Sequence, residues 1–204
     1  MKLLFATGNQ FKKELMIERL KELKEIEVVI PKDLGVSIDV VEDGITPEEN
    51  ACKKAKAYHD VLKMPTIAED SGLYVDKFSD EEQPGLFVKR VNGREDLSDD
   101  EIRAHYIKLL NKYGGESLAC YHTGVCLIDS DGNIYTDTIE ETKFLFTTNI
   151  YINPTKPGRT LEPMSYDVHA NKYFAERTEE DIENHMKALN DRYRELVKRH
   201  VLKK

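Results

Sequence analysis

Well-marked helix starts alternate with short apolar runs along the first half of this chain, and that order confines it to folds in which helices connect strands. Thr46-Pro47-Glu48-Glu49 joins a capping box to a proline at the first helical position, which predicts a helix from Pro47 to Leu62. Thr66 to Val75 follows as a strand, interrupted or turned at Ser71-Gly72. Nearer the N-terminus, Lys2 to Ala6 is an apolar run ending in Thr7-Gly8-Asn9, and Met16, Leu20 and Leu23 then recur at helical spacing between Lys12 and Lys24. Glu27 to Ile30 suits a second strand. The pattern predicts an α/β chain.

Beyond Val75 the signals are more mixed. Gln83 to Arg94 reads as loop around Pro84-Gly85, and Ser98-Asp99-Asp100-Glu101 opens a helix that turns Ile102, Tyr106 and Leu109 inward. Leu118 to Ile128 and Ile134 to Thr147 read as two long strands joined by the hairpin signal Asp129-Ser130-Asp131-Gly132-Asn133. Ile152 to Arg177, with Pro154, Pro157, Gly158 and Pro163, reads mainly as loop with a short extended piece near Tyr166. A last helix opens at Thr178, with Ile182, Met186, Leu189, Tyr193 and Leu196 as its apolar stripe and His185 nearer the edge.

With 204 residues and no composition shift, the expectation is one two-lobed domain over residues 1–204. A net charge of −8 argues against a nucleic-acid polymer as partner, because such binding rests on clustered Lys and Arg. No apolar run reaches membrane-spanning length, and Met1 to Gly8 is too short in its apolar part for a signal peptide. Three cysteines without framework spacing fit reduced thiols, so the expected location is the cytoplasm. Cys120, His122 and Cys126 share strand parity but lack a fourth zinc ligand and the usual spacing, which leaves core packing as their default role.

The chemistry gathers at Ile67-Ala68-Glu69-Asp70-Ser71-Gly72-Leu73. An apolar strand brings two adjacent carboxylates, a hydroxyl and a glycine to one place, which fits a metal and phosphate site as well as a strand end with an Asp-Ser-Gly turn. Adjacent strand residues point to opposite faces, so Glu69 and Asp70 can do different work. Thr7-Gly8-Asn9-Gln10-Phe11-Lys12, from strand to helix, offers backbone amides and a lysine to an anion but is no Walker A loop, lacking Gly-Lys-Ser/Thr. Glu42-Asp43-Gly44 precedes the capped helix, on which Asn50 and Lys54 lie one turn apart. Glu42 could join Glu69 and Asp70 around Mg2+, which takes one or two carboxylates and leaves its other positions to water and phosphate oxygens.

Taken in order, Thr7-Gly8-Asn9 with Lys12, the run from Glu42 to Ala55, Ala68-Glu69-Asp70-Ser71-Gly72-Leu73 and Pro84-Gly85-Leu86-Phe87 resemble the inosine triphosphate pyrophosphatase family. The resemblance covers roughly the first ninety residues and thins afterwards to Tyr166-Asp167, Tyr173-Phe174-Ala175-Glu176 and His185. It implies a mixed α/β fold, with a long central sheet and flanking helices forming two lobes around a nucleotide cleft, usually as a homodimer. It also implies hydrolysis of the α-β phosphoanhydride of inosine, deoxyinosine or xanthosine triphosphate to a monophosphate and pyrophosphate. By the same resemblance Asp70 is the general base, Glu42, Glu69 and Asp70 surround Mg2+, and Thr7, Gly8, Asn9, Lys12, Lys54, Ser71 and Gly72 hold the triphosphate. Tyr166, Asp167 and His185 fall at the base end of the substrate.

That base end departs from the family pattern. Phe-Gly-Tyr-Asp-Pro is replaced by Met164-Ser165-Tyr166-Asp167-Val168 and Ser-His-Arg by Asn184-His185-Met186, while the family lysine before the histidine falls on Glu180. Lys89, Arg90, Arg159 and Lys172 are the cations available as substitutes. Two other readings stay open, the same reaction on a different nucleotide and a nucleotide-binding regulatory protein without turnover.

Overall fold

The structure is a computed structural model that describes residues 1–91, 93–94, 96–153 and 159–203, with only the backbone of Phe11. Pro154, Pro157 and Gly158 of the anticipated loop lie outside the described residues. Strands β1 (Lys2–Phe5), β2 (Glu27–Val29), β3 (Thr66–Val75), β4 (Glu116–Ile128), β5 (Ile134–Glu140), β6 (Phe144–Thr147), β7 (Ser165–Asp167) and β8 (Lys172–Tyr173) form one sheet. Its order is β2-β1-β3-β4-β6-β7-β8, with β5 also paired to β4. Helices α1 (Gln10–Arg19), α2 (Pro47–Leu62), α3 (Asp99–Lys112), α4 (Glu179–His185) and α5 (Lys187–His200) complete a mixed α/β fold with a central sheet. β1 runs parallel to β2 and β3, as strand-helix-strand connections require, and the β4-β6-β7-β8 ladder is antiparallel.

The chain divides into two compact units. The first comprises residues 1–71, 122–139 and 187–204. Its core sets Leu4, Ala6 and Val29 with Ala51, Ala55 and Tyr58 of α2 and Ala68, Cys126 and Ile128 of the strands. α2 starts where its capping residues place it, Thr46 Oγ1 accepting from the Glu49 amide. That start presses on β4 at Gly124, where a Cβ would lie 2.2 Å from the Glu48 nitrogen.

The second unit comprises residues 72–121 and 140–186. Ile102, Tyr106, Leu109 and Leu110 of α3 pack with Leu73, Val75, Phe144, Phe146 and Met164. The Tyr106 hydroxyl, which burial pushes above the ordinary tyrosine range, donates to the Val88 carbonyl at 2.8 Å.

Three expectations are corrected here. β3 does not turn at Ser71-Gly72 but runs through to Val75. Gly72 is there for close approach, since a Cβ on it would meet the Gly85 carbonyl carbon at 2.9 Å, next to the Leu73–Gly85 bridge. The single strand anticipated from Ile134 to Thr147 is two, β5 and β6, separated by Glu141 to Lys143, where the Glu141 amide still donates to the Tyr121 carbonyl of β4 but Thr142 Oγ1 turns to the His185 carbonyl. The last helix likewise breaks at Met186 (φ −89°, ψ 2°) into α4 and α5. The break rotates the apolar stripe, so that His185 is buried and Met186 only half-buried.

The cysteines are free thiols. Cys126 is wholly buried in the first core with Cys52 packed against it, and burial pushes the Cys120 thiol up to about 11. Among the described residues no helix is long and apolar enough to cross a membrane.

Candidate active site

Asp70 is held by two side chains of α2. Lying on β3 with 20% of its side chain exposed, it takes a hydrogen bond on Oδ2 from Asn50 Nδ2 at 2.9 Å and has Lys54 Nζ 3.6 Å from Oδ1. Asn50 and Lys54 come from one face of α2, four residues apart, as helical periodicity dictates. The Asn50 side-chain oxygen accepts from the Gly44 amide at 2.8 Å, which ties the acidic loop to the same helix. A Cβ on Gly44 would sit 2.6 Å from that oxygen, so only glycine permits the contact. From this loop Glu42 reaches back to Lys54 Nζ at 2.9 Å. One ammonium therefore lies between two carboxylates that are 28 residues apart in sequence, and both remain partly exposed.

Glu42 and Asp70 suit a hard divalent cation such as Mg2+. They are oxygen donors converging from different segments on one centre of positive charge, with exposed surface left for water or phosphate oxygens. Glu69 is placed differently. It is buried, and its oxygens meet Arg19 Nη1 at 2.7 Å, Tyr193 Oη at 2.5 Å and Lys12 Nζ at 3.4 Å. Burial alone would raise its carboxyl, but Arg19 and Lys12, with the hydrogen bonds from Tyr193 and Arg19, overcome that and hold it at about 2. The strand alternation that sends Glu69 and Asp70 to opposite faces separates an internal ion pair from an accessible carboxylate.

Thr7, Gly8 and Asn9 form the turn between β1 and α1. Thr7 Oγ1 accepts from the Asn9 amide at 3.2 Å, and Asn9 Oδ1 accepts from the Lys12 amide at 3.4 Å, which caps the helix. Gly8 has open space where a side chain would stand, and Lys12 is about a third exposed. Ser71 Oγ shares a 2.7 Å hydrogen bond with Thr123 Oγ1. A cavity of about 350 Å³ lined by Glu22, Asp191, Arg194, Glu195, Lys198 and Arg199 shares none of these residues, and Arg194 and Arg199 are paired there with acids of its own wall.

In the second unit Asp167 and His185 come together and Tyr166 stands apart. Asp167 Oδ1 accepts from the amides of His169 and Ala170, while Oδ2 lies 3.1 Å from His185 Nδ1 and 3.5 Å from Arg177 Nη1. Burial opposes ionisation of Asp167, and these amides and cations outweigh it to keep the carboxyl below its usual value. Burial and Arg177 both depress His185, against the pull of Asp167. The Tyr166 hydroxyl donates to Asn171, and its ring meets Tyr173 edge-on. Met164, at the position of the family aromatic, is wholly buried in the core.

Asn50, Arg19, Tyr193 and Arg177 are residues of these clusters that sequence reasoning left out of its site. Asn50 carried a usable signal, one turn before Lys54 on the capped helix. The other three are joined to the cluster only by folding.

The profile of the Ham1 family matches residues 3–147. A dITP/XTP pyrophosphatase of Leptospira interrogans is 38% identical over 129 residues, covering 62% of this chain and 62% of that protein, so the match spans under two thirds of its length. A dITP/XTP pyrophosphatase of Thermoanaerobacter sp. is 30% identical over 183 residues, covering 89% of this chain and 87% of that protein. The Ham1 protein of Staphylococcus aureus has the same fold, with a TM-score of 0.70 at 24% identity over 95% of this chain and 98% of that one. Matched through its profile over β1 to β6 and by a relative aligned along most of both lengths, this chain belongs to the Ham1 family.

Proposed function

We propose that this chain is a Mg2+-dependent nucleoside triphosphate pyrophosphohydrolase that cleaves the α-β phosphoanhydride of inosine, deoxyinosine or xanthosine triphosphate to the monophosphate and pyrophosphate, acting as a homodimer. The observation that carries the reading is the convergence of Glu42 and Asp70 on Lys54, with Asn50 fixing the Asp70 carboxylate. The printed names of the relatives, dITP/XTP pyrophosphatase, agree with it.

Phosphoryl chemistry asks chiefly for positioning and for cations that neutralise developing charge. Lys54 and Lys12 supply two such charges, and the amides at the start of α1 supply a third centre of positive potential. Mg2+ held by Glu42 and Asp70 would add charge neutralisation at the phosphate oxygens. Asp70 Oδ1 takes the proton of the attacking water, Asn50 keeping that carboxylate in one rotamer while it does so. Glu69 acts through Lys12, whose ammonium it holds at the mouth of the α1 turn.

The test is release of pyrophosphate from inosine triphosphate with Mg2+, by wild type and by Asp70→Asn. Pyrophosphate from wild type and none from a folded variant is the expected result. Release of orthophosphate, or full activity in the variant, would overturn the mechanism.

A further inference from the structure

Arg19 closes α1, seven residues after Lys12 and so on the same face of the helix two turns further on. Both reach Glu69, by different oxygens. Arg19 Nη1 meets Oε2 at 2.7 Å, where the Tyr193 hydroxyl also donates at 2.5 Å, and Lys12 Nζ meets Oε1 at 3.4 Å. The Arg19 side chain is 9% exposed, with its guanidinium carbon 4.8 Å from the centre of the Tyr193 ring, and Arg194 Nε donates to the Arg19 carbonyl at 2.9 Å. The arginine is therefore fixed from α5 at both its backbone and its head.

Two cations on one carboxylate leave one positive charge over, because Glu69 stays ionised, its carboxyl held at about 2. Which cation keeps it follows from the geometry. The buried arginine makes the shorter contact, on the oxygen that Tyr193 shares, whereas Lys12 makes the longer one and is about a third exposed. With Lys12 as its sole counter-charge, Glu69 would cancel that ammonium and repel any anion brought to it. At the effective dielectric of such a site, one unit charge changes anion affinity by about a factor of ten or more. A buried arginine thus decides what charge the α1 turn presents.

We propose that Arg19 and Tyr193 are positioning residues for the triphosphate: they hold the Glu69 charge at Oε2, so that Lys12, anchored at Oε1, presents an uncancelled ammonium to the phosphates. The assignment rests on the pyrophosphohydrolase reading for its ligand. It gives α5 a part in substrate binding that is exerted through Glu69 and Lys12.

The test measures binding of inorganic pyrophosphate by calorimetry, beside steady-state kinetics with inosine triphosphate and Mg2+. Arg19→Met lets Glu69 cancel Lys12, so the pyrophosphate Kd and the KM for inosine triphosphate are expected to rise about 10-fold with little change in kcat. Arg19→Lys restores the charge and most of the affinity, and Tyr193→Phe, which keeps the ring over Arg19, raises both constants about threefold. Adding Glu69→Gln to Arg19→Met removes the cancelling carboxylate, and the double variant is expected to regain pyrophosphate affinity to within about threefold of wild type. Loss of both partners of a buried pair is tolerated better than loss of one, so the double variant and Tyr193→Phe carry the test where Arg19→Met fails to fold. A double variant that binds pyrophosphate about 10-fold more weakly than wild type overturns the assignment, making Arg19 a packing residue alone. Unchanged affinity in Arg19→Met or in Lys12→Met overturns it as well. Loss and recovery of pyrophosphate binding without any turnover of inosine triphosphate by wild type uphold the assignment and remove the hydrolase reading.

Discussion

Asn50 donates to Asp70 at 2.9 Å with one end of its amide and accepts from the Gly44 backbone at 2.8 Å with the other. A single buried side chain thus sets the orientation of the accessible carboxylate and the course of the acidic loop that carries Glu42. Asn50→Ala removes both contacts. A hydrogen bond to a charged acceptor contributes roughly 1.5 to 3 kcal/mol, so kcat is expected to fall about 10- to 100-fold. Steady-state kinetics beside thermal unfolding checks this, and a variant that loses stability while keeping kcat would show that Asn50 serves only the loop.

The ion pair on the opposite face of β3 makes a different demand. Glu69 is buried against Arg19 and Tyr193 with Lys12 beside it, so Glu69→Gln removes the carboxylate charge that Arg19 faces at 2.7 Å. Breaking one partner of a buried pair typically costs about 3 to 5 kcal/mol, whereas Tyr193→Phe, which removes the hydrogen bond to Glu69 and keeps the ring over Arg19, costs about 1.5 to 3 kcal/mol. Urea unfolding of the two variants is expected to rank them in that order. Equal stability of Glu69→Gln and wild type would place the Glu69 carboxylate outside the folding energetics.

How far the fold was legible depends on how local each signal was. The helix Pro47–Leu62 is found as predicted because Thr46, Pro47 and Glu49 fix its start within four residues. The break at Met186 is invisible in the sequence, since the apolar spacing of Ile182, Met186, Leu189 and Tyr193 continues straight through it; the carbonyl of His185 instead answers to Thr142 on a distant segment. The same division holds at the clusters. Asp70, Lys54 and Glu42 were legible as residue types within a strand, on a capped helix and in the loop before that helix. Tyr193, 124 residues from Glu69, and Arg177, whose partners are set by burial, were not.

Gly124 gives a prediction about architecture. A Cβ there would lie 2.2 Å from the Glu48 nitrogen and 2.4 Å from the Pro47 carbonyl carbon, both backbone atoms that cannot swing aside. Gly124→Ala must push the first turn of α2 away from β4, at a cost of about 1 to 3 kcal/mol for overpacking. Because Asn50 and Lys54 ride on that helix, pyrophosphate release is expected to fall along with the unfolding midpoint. A variant as stable and as active as wild type would mean that α2 tolerates the shift.

His185 supplies a dependence on pH whose sign follows from its surroundings. Burial and the Arg177 charge lower its affinity for a proton, Asp167 opposes them, His169 adds a smaller repulsion, and the balance leaves the folded value below the ordinary 6.5. A group whose folded value is depressed stabilises the fold fully above its unfolded value, and that contribution is lost as pH falls through the folded one. Stability is therefore expected to decline from about pH 6.5 downward, before carboxylates such as Asp167 begin to protonate. His185→Gln cannot titrate and should flatten that decline, leaving the part owed to His105 and His200, whose values are also lowered. Urea unfolding of both proteins between about pH 8 and 5 measures the difference, and parallel curves would show that His185 binds its proton equally in the folded and unfolded chain.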